Sequence, residues 1–210
     1  PVWDGVGPGA TTATIKFSHD NEGIVGGGML ADDFIMLPPV FQKGRASADA
    51  PRWGLAHKQW MRRNYTRMLY VTGPVHEIPS PEARVSVDPD VRDRWGMPVA
   101  RLSGTTHPET LRVYDFMRTR AEEWLRASGA DGVWSGASGL HLSGGQHQAG
   151  TCRMGHDPKT SVTDEWGRVH GHDNLFVADS SLHVTNGGFN PVLTILALSF
   201  RVSGQIAKTW

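Results

Sequence analysis

Apolar and polar positions divide the chain into stretches of distinct period. Residues 11–19 read as extended, with Ile15 and Phe17 on one face, and Gly23, Gly26, Gly27 and Gly28 mark a glycine-dense turn region. Residues 45–51 are small and polar and predict a loop. Helical spacing of Leu55, Trp60 and Met61 predicts a helix over 55–65, with Arg62 and Arg63 near its end. The run Met68, Leu69, Tyr70, Val71, Thr72 is strand-like. Pro79 and Pro81 then set an extended connection. Residues 84–88 alternate like a strand, 93–98 form a turn, and 99–102 return as its hairpin partner.

The strongest helical pattern runs over 106–127. Thr106 with Glu109 has the form of a capping box, and Leu111, Tyr114, Met117, Ala121, Trp124 and Leu125 form the apolar stripe. Gly129 is placed to end the helix. Beyond it, 139–143 is strand-like, 174–179 reads as a buried strand closing on Asp179, and 191–208 as a final helix. The chain has no internal repeat.

Candidate chemistry gathers in the last third. Asn190 followed by Pro191 has the form of a helix start, because Asn is a favoured cap and Pro suits the first turn. Gly187 and Gly188 just before it permit close approach of backbone or ligand. A helix N-terminus carries free N–H groups and partial positive charge, which suits a group that becomes anionic during reaction. Asp179 ends an apolar run, a position where α/β folds place ligand contacts. His147 follows two glycines and precedes Gly150 and Thr151, which predicts an exposed turn, and an imidazole there can serve as a base near neutral pH. His141, His147, Cys152, His156, His170 and His172 have residue types that suit zinc, but their spacings match neither C-x-x-C nor H-E-x-x-H, so no metal is expected. Cys152 reads as a small buried hydrophobe in preference to a thiol nucleophile.

Composition changes this picture little. The 210 residues suffice for one or two domains with a core, and 39% hydrophobic with 20% charged residues is ordinary for a globular chain. Basic and acidic side chains balance at 21 each, and no basic stripe points to nucleic acid. No apolar run approaches a membrane span, and no secretory leader opens the chain. With a single cysteine, no internal disulfide can form, and a cytoplasmic location is expected. The chain opens Pro1, Val2, Trp3 without Met, as a processed, truncated or discontinuous product would.

Three segments carry a resemblance: His147-Gln148-Ala149-Gly150-Thr151, the run from Asn174 to Asp179, and Gly187-Gly188-Phe189-Asn190-Pro191. Together they resemble the C-terminal signature of the glucose-methanol-choline (GMC) oxidoreductases, most nearly the branch of pyranose oxidase, glycoside 3-oxidase and gluconate or fructose dehydrogenase. The stretch from Glu77 to Pro98, with Pro79, Pro81 and residues 84–89, is similar to the family's substrate-domain sheet. The resemblance implies an α+β fold. Residues 1–140 would be mostly an antiparallel-sheet substrate domain with helices. Residues 141–210 would be a catalytic segment whose strand and helix complete a Rossmann-like FAD domain. The family's G-x-G-x-x-G turn is not matched by Gly5-Val6-Gly7-Pro8-Gly9, so the main part of that FAD domain is expected in an N-terminal segment not in this chain.

The resemblance further implies FAD as cofactor, with Asp179, Ser180, Asn190, Pro191, Val192 and Thr194 at it. His147 would be the base and Asn190 its hydrogen-bonding partner, a secondary alcohol of a sugar or glycoside going to the ketone with hydride passing to flavin N5. Oxygen or a quinone would accept the electrons. The alternative is a sugar-binding or subunit-interaction module of the same descent without redox chemistry.

Overall fold

A computed structural model describes residues 13–14, 16–33, 37–44, 46–136, 139 and 147–209. Helices and small antiparallel sheets make up the described chain. The expected strand over 139–143 falls outside these residues except for position 139, and the expected extended stretch over 11–19 is described only in part.

The first sheet has β1 (Ala13–Thr14), β2 (Leu30–Asp33) and β3 (Tyr70–Thr72) in that order, all antiparallel. Ala31 faces Thr72 and Asp33 faces Tyr70 across the central pair. Beyond the strands the pairing continues through Met29 N–H to the Pro74 carbonyl at 3.2 Å and His76 N–H to the Gly27 carbonyl at 2.7 Å. Thus the glycine-rich turn is fixed to the segment after β3.

Between β2 and β3 lie α1 (Pro38–Gly44) and α2 (Gly54–Asn64). Phe41 stacks on Trp60 with centroids 6.2 Å apart and meets Tyr65 edge-on at 5.4 Å, which joins the two helices. Leu55, expected on the apolar face of α2, is exposed instead, and Trp60 carries the packing against Phe41.

The expected hairpin is present as β4 (Arg84–Arg92) and β5 (Pro98–Ser103), with Arg84 opposite Ser103 and Val87 opposite Ala100. Register shifts between Val87 and Arg92, where Asp88 Oδ1 accepts the N–H groups of Asp90 and Val91. Asp93 Oδ1 accepts those of Trp95 and Met97 and closes the turn.

Helix α3 (Pro108–Ala127) packs on the first sheet. Leu30, Val113 and Met117 form the buried centre, with Phe17, Ile24, Val71, Val75, Phe116, Ala121 and Trp124 around it. Two expectations are corrected here. The cap is His107, whose Nδ1 accepts the Glu109 N–H at 3.1 Å, since Pro108 takes the first helical position and moves the cap one residue past Thr106. Thr106 is buried, and its hydroxyl has no partner among the described residues. The fully buried positions are Thr110, Val113 and Met117; of the expected stripe, Met117, Ala121 and Trp124 meet the core, while Leu111, Tyr114 and Leu125 are only half-buried. Thr110 belongs among the buried positions because its hydroxyl accepts the Ile78 N–H at 3.2 Å, while Tyr114 turns outward to donate to Glu77 at 3.4 Å. Gly129 ends the helix as expected, with φ +84°.

In the C-terminal part, the buried strand expected over 174–179 is corrected to a short antiparallel pairing. Val169 N–H donates to the Leu175 carbonyl at 2.9 Å, and Val177 N–H to the Gly167 carbonyl at 2.8 Å, about an isolated bridge between Arg168 and Phe176. Leu175 is half exposed, so the apolar run is not enclosed on both faces by described residues. A 3₁₀ turn, Ser180–Leu182, follows, and the chain ends in α4 (Val192–Thr209). Leu182, Thr163 and Val202 are fully buried, and Ser199 Oγ donates to the Ala178 carbonyl at 2.6 Å, securing α4. No helix among the described residues is long and apolar enough to cross a membrane.

Candidate active site

His147 is one of two non-glycine residues with positive φ among the described residues, at +69°. It is half-buried, and its carbonyl accepts Nδ2 of Asn186 at 3.0 Å. The residues after it are stitched to the 3₁₀ turn. Gly150, Cys152 and Met154 donate their N–H groups to the carbonyls of Ser180, Ser181 and Leu182 at 3.2, 2.9 and 3.0 Å. His147 and Asp179 therefore stand at the start of two segments fastened side by side.

Asp179 caps the 3₁₀ turn. Its Oδ1 accepts both the Ser181 N–H at 2.8 Å and the Ser181 hydroxyl at 2.5 Å. These bonds, the hydroxyl's first, hold the carboxyl below the usual carboxylate range. Neither bond engages Oδ2, and the side chain is exposed. The Ser180 carbonyl also receives the His183 N–H at 3.2 Å.

Residues 183–190 carry the chain to α4 past the glycine-rich turn and His76, beyond the ends of β2 and β3. His183 is buried, and its Nε2 has no partner among the described residues. Thr185 hydrogen-bonds His76 Nε2, and burial pushes the His76 imidazole pKa down. Gly188, with φ +66°, is buried so closely that a β-carbon would stand 3.1 Å from both the Gly27 carbonyl oxygen and the His76 nitrogen. Only glycine fits that seat without displacing backbone.

The expected helix start is adjusted by one residue. Ile195 N–H donates to the Pro191 carbonyl at 2.9 Å, so Pro191 holds the cap position and Asn190 precedes it. Asn190 is exposed and Pro191 buried. Freed from capping, the Asn190 amide makes no hydrogen bond to another described residue, and neither does the His147 imidazole. Val192 and Thr194 lie exposed on the first turn of α4, whose leading N–H groups have no helical acceptor.

The structure thus joins the segment that follows His147 to Ser180 and the rest of the turn that Asp179 caps. It joins His147 to the loop before Asn190 through Asn186, without a direct bond between His147 and Asn190. Among the described residues no group of three or more His, Cys, Asp or Glu side chains is placed to hold a metal. His141 lies outside them, while His156 pairs with Glu165 at 3.2 Å and His170 with Ser161 at 2.9 Å.

A profile of the GMC oxidoreductases matches residues 79–199, more than half of the chain. The chain belongs to the GMC oxidoreductase family. Among curated relatives, the 2-methyl-1,2-propanediol dehydrogenase of Mycolicibacterium austroafricanum is 34% identical over 157 residues, covering 74% of this chain and 28% of that protein. The 6'''-hydroxyparomomycin C oxidase of Streptomyces lividus is 42% identical over 116 residues, 55% of this chain and 21% of that protein. The paromamine 6'-oxidase of Streptomyces fradiae is 41% identical over 115 residues, with the same two coverages of 55% and 21%. The matched part of this GMC chain spans under a third of the length of each relative.

No sequence signal marks His76, which meets Thr185 from 109 positions away. Asn186 carried a weak one, as a second Asn in the same glycine-rich run.

Proposed function

We propose that this chain supplies the substrate side and the catalytic pair of a FAD-dependent oxidoreductase that oxidises an alcohol of a sugar-like or polyol substrate. In this reading residues 1–140 are mostly the substrate-binding domain and residues 141–210 the catalytic and FAD-contacting segment. The main FAD-binding fold comes from a segment N-terminal to these residues. The finer form of the proposal is oxidation of a secondary alcohol of a sugar or glycoside to the ketone. Support for the chemistry comes from the family and from relatives named for aminoglycoside and diol oxidation.

The observation that carries the reading is that the His147 imidazole and the Asn190 amide, neither bonded to another described residue, stand on two segments that Asn186 fastens together. Asp179, whose Oδ2 accepts no bond from another described residue, Ser180, Asn190, Pro191, Val192 and Thr194 would hold FAD. Their donor set fits, combining exposed N–H groups, a hydroxyl and an acceptor beside the exposed apolar surface of Val192 and Leu193. FAD, when bound, supplies the two-electron acceptor for the hydride leaving the carbinol carbon. His147 takes the hydroxyl proton on an imidazole nitrogen. Asn190 orients the hydroxyl oxygen and does not titrate. Oxygen or a quinone is the final acceptor.

The test is anaerobic stopped-flow reduction of the full-length flavoenzyme by methyl β-glucoside, paromamine and 2-methyl-1,2-propanediol, with product analysis for ketone or aldehyde. His147→Ala slows flavin reduction about 10² to 10⁴-fold with FAD retained, and Asn190→Ala slows it less. Asp179→Ala loses FAD first. Parent-rate reduction in His147→Ala would place the base elsewhere.

A further inference from the structure

We propose that Asn186, anchored through Thr185 and His76, is the positioning residue that sets the direction of His147. The inference rests on the reading of His147 as the base.

A β-carbon disfavours the left-handed backbone, so a histidine at φ +69° needs something to hold it there. Among the described residues the single hydrogen bond made by His147 is the one its carbonyl accepts from Asn186 Nδ2. That bond fixes the peptide plane following His147, and with it the bearing from which the imidazole leaves the chain. Without it the residue relaxes toward negative φ, and the imidazole swings away.

Asn186 can act in this way only because its own loop is held. Thr185, the preceding residue, bonds the His76 ring, and the His76 N–H is tied to the Gly27 carbonyl at 2.7 Å. Gly188 is seated against the same two residues from the other side. A continuous line of contacts therefore runs from the first sheet through His76, Thr185 and Asn186 to His147. Four residues past Asn186 the loop delivers Asn190, so one clasp governs both members of the pair. A general base must sit within hydrogen-bond reach of its proton, and small misplacements have large kinetic effects.

The experiment uses the full-length flavoenzyme and two readouts. In stopped-flow reduction with the alcohols named above, Asn186→Ala lowers the limiting rate about tenfold, the worth of one orienting hydrogen bond. Half-saturation and bound FAD stay unchanged. Thr185→Val, which removes the hydroxyl at equal volume, lowers the rate about threefold, near the low end for such a bond. His76→Gln keeps an amide nitrogen where Nε2 stood and retains the parent rate, while His76→Ala behaves as Thr185→Val does. In hydrogen exchange read by mass spectrometry, which needs no substrate, Asn186→Ala raises exchange over 147–150 and leaves 198–209 as in the parent. Unchanged rate, unchanged exchange over 147–150, or a rate loss matched by equal loss of FAD and thermal stability would overturn the clasp. If instead His147→Ala reduces its flavin at the parent rate, the base assignment fails while the exchange result still reports on the clasp.

Discussion

At the scale of single residues, His76 couples the site loop to pH. Burial lowers its pKa from the ordinary 6.5, so the folded protein resists protonating it. Above that value the ring is neutral in folded and unfolded chains alike. Below it the unfolded chain takes up the proton first, so stability falls as pH drops and levels off once pH passes the lowered folded value. Urea midpoints measured from pH 7.5 to about 5 should decline in the parent and decline less in His76→Gln. An identical decline in both would assign the effect to other groups. This histidine also shows where sequence reading stops. His147, Asp179 and Asn190 sit in local motifs, where residue type and neighbours carry the information. The role of His76 exists only after the chain has returned 109 positions later to meet it.

Among the elements, α3 separates what periodicity tells from what it does not. Its existence, its end at Gly129 and the burial of Met117 follow from spacing alone. The make-up of its buried face does not, because periodicity ranks Thr110 as polar and Tyr114 as apolar. The Ile78 N–H needed an acceptor, and Thr110 provides one from inside the core. Thr110→Val keeps the volume and removes the acceptor. Loss of that bond in a buried setting should destabilise the fold by about 1–3 kcal/mol, measured by chemical denaturation. A neutral or stabilising Val would show that Ile78 finds another partner. The hairpin β4–β5 was legible for the opposite reason: strand alternation and the Asp-led turn are both local. The run over 174–179 misled because an apolar stretch looks the same whether it is enclosed on two faces or one.

For the whole molecule, apolar side chains stand unusually open. Leu193 is 83% and Phe200 77% exposed along α4, while Val85, Val87 and Leu102 are exposed on the hairpin. The isolated 210-residue chain, lacking a G-x-G-x-x-G turn, should bind FAD weakly, since the pyrophosphate-binding backbone supplies most of the cofactor's contacts. Titration with FAD followed by flavin fluorescence checks this, and tight stoichiometric binding would reverse it. The stitch between 150–154 and 180–182 has a further consequence. Its three bonds advance two residues on one segment for every residue on the other. The segments mesh like gears of unequal pitch: one notch of slip at the 3₁₀ turn displaces the histidine-bearing segment by two positions. An insertion or deletion within either toothed stretch should therefore break the stitch, while one outside 150–154 and 180–182 should leave it whole.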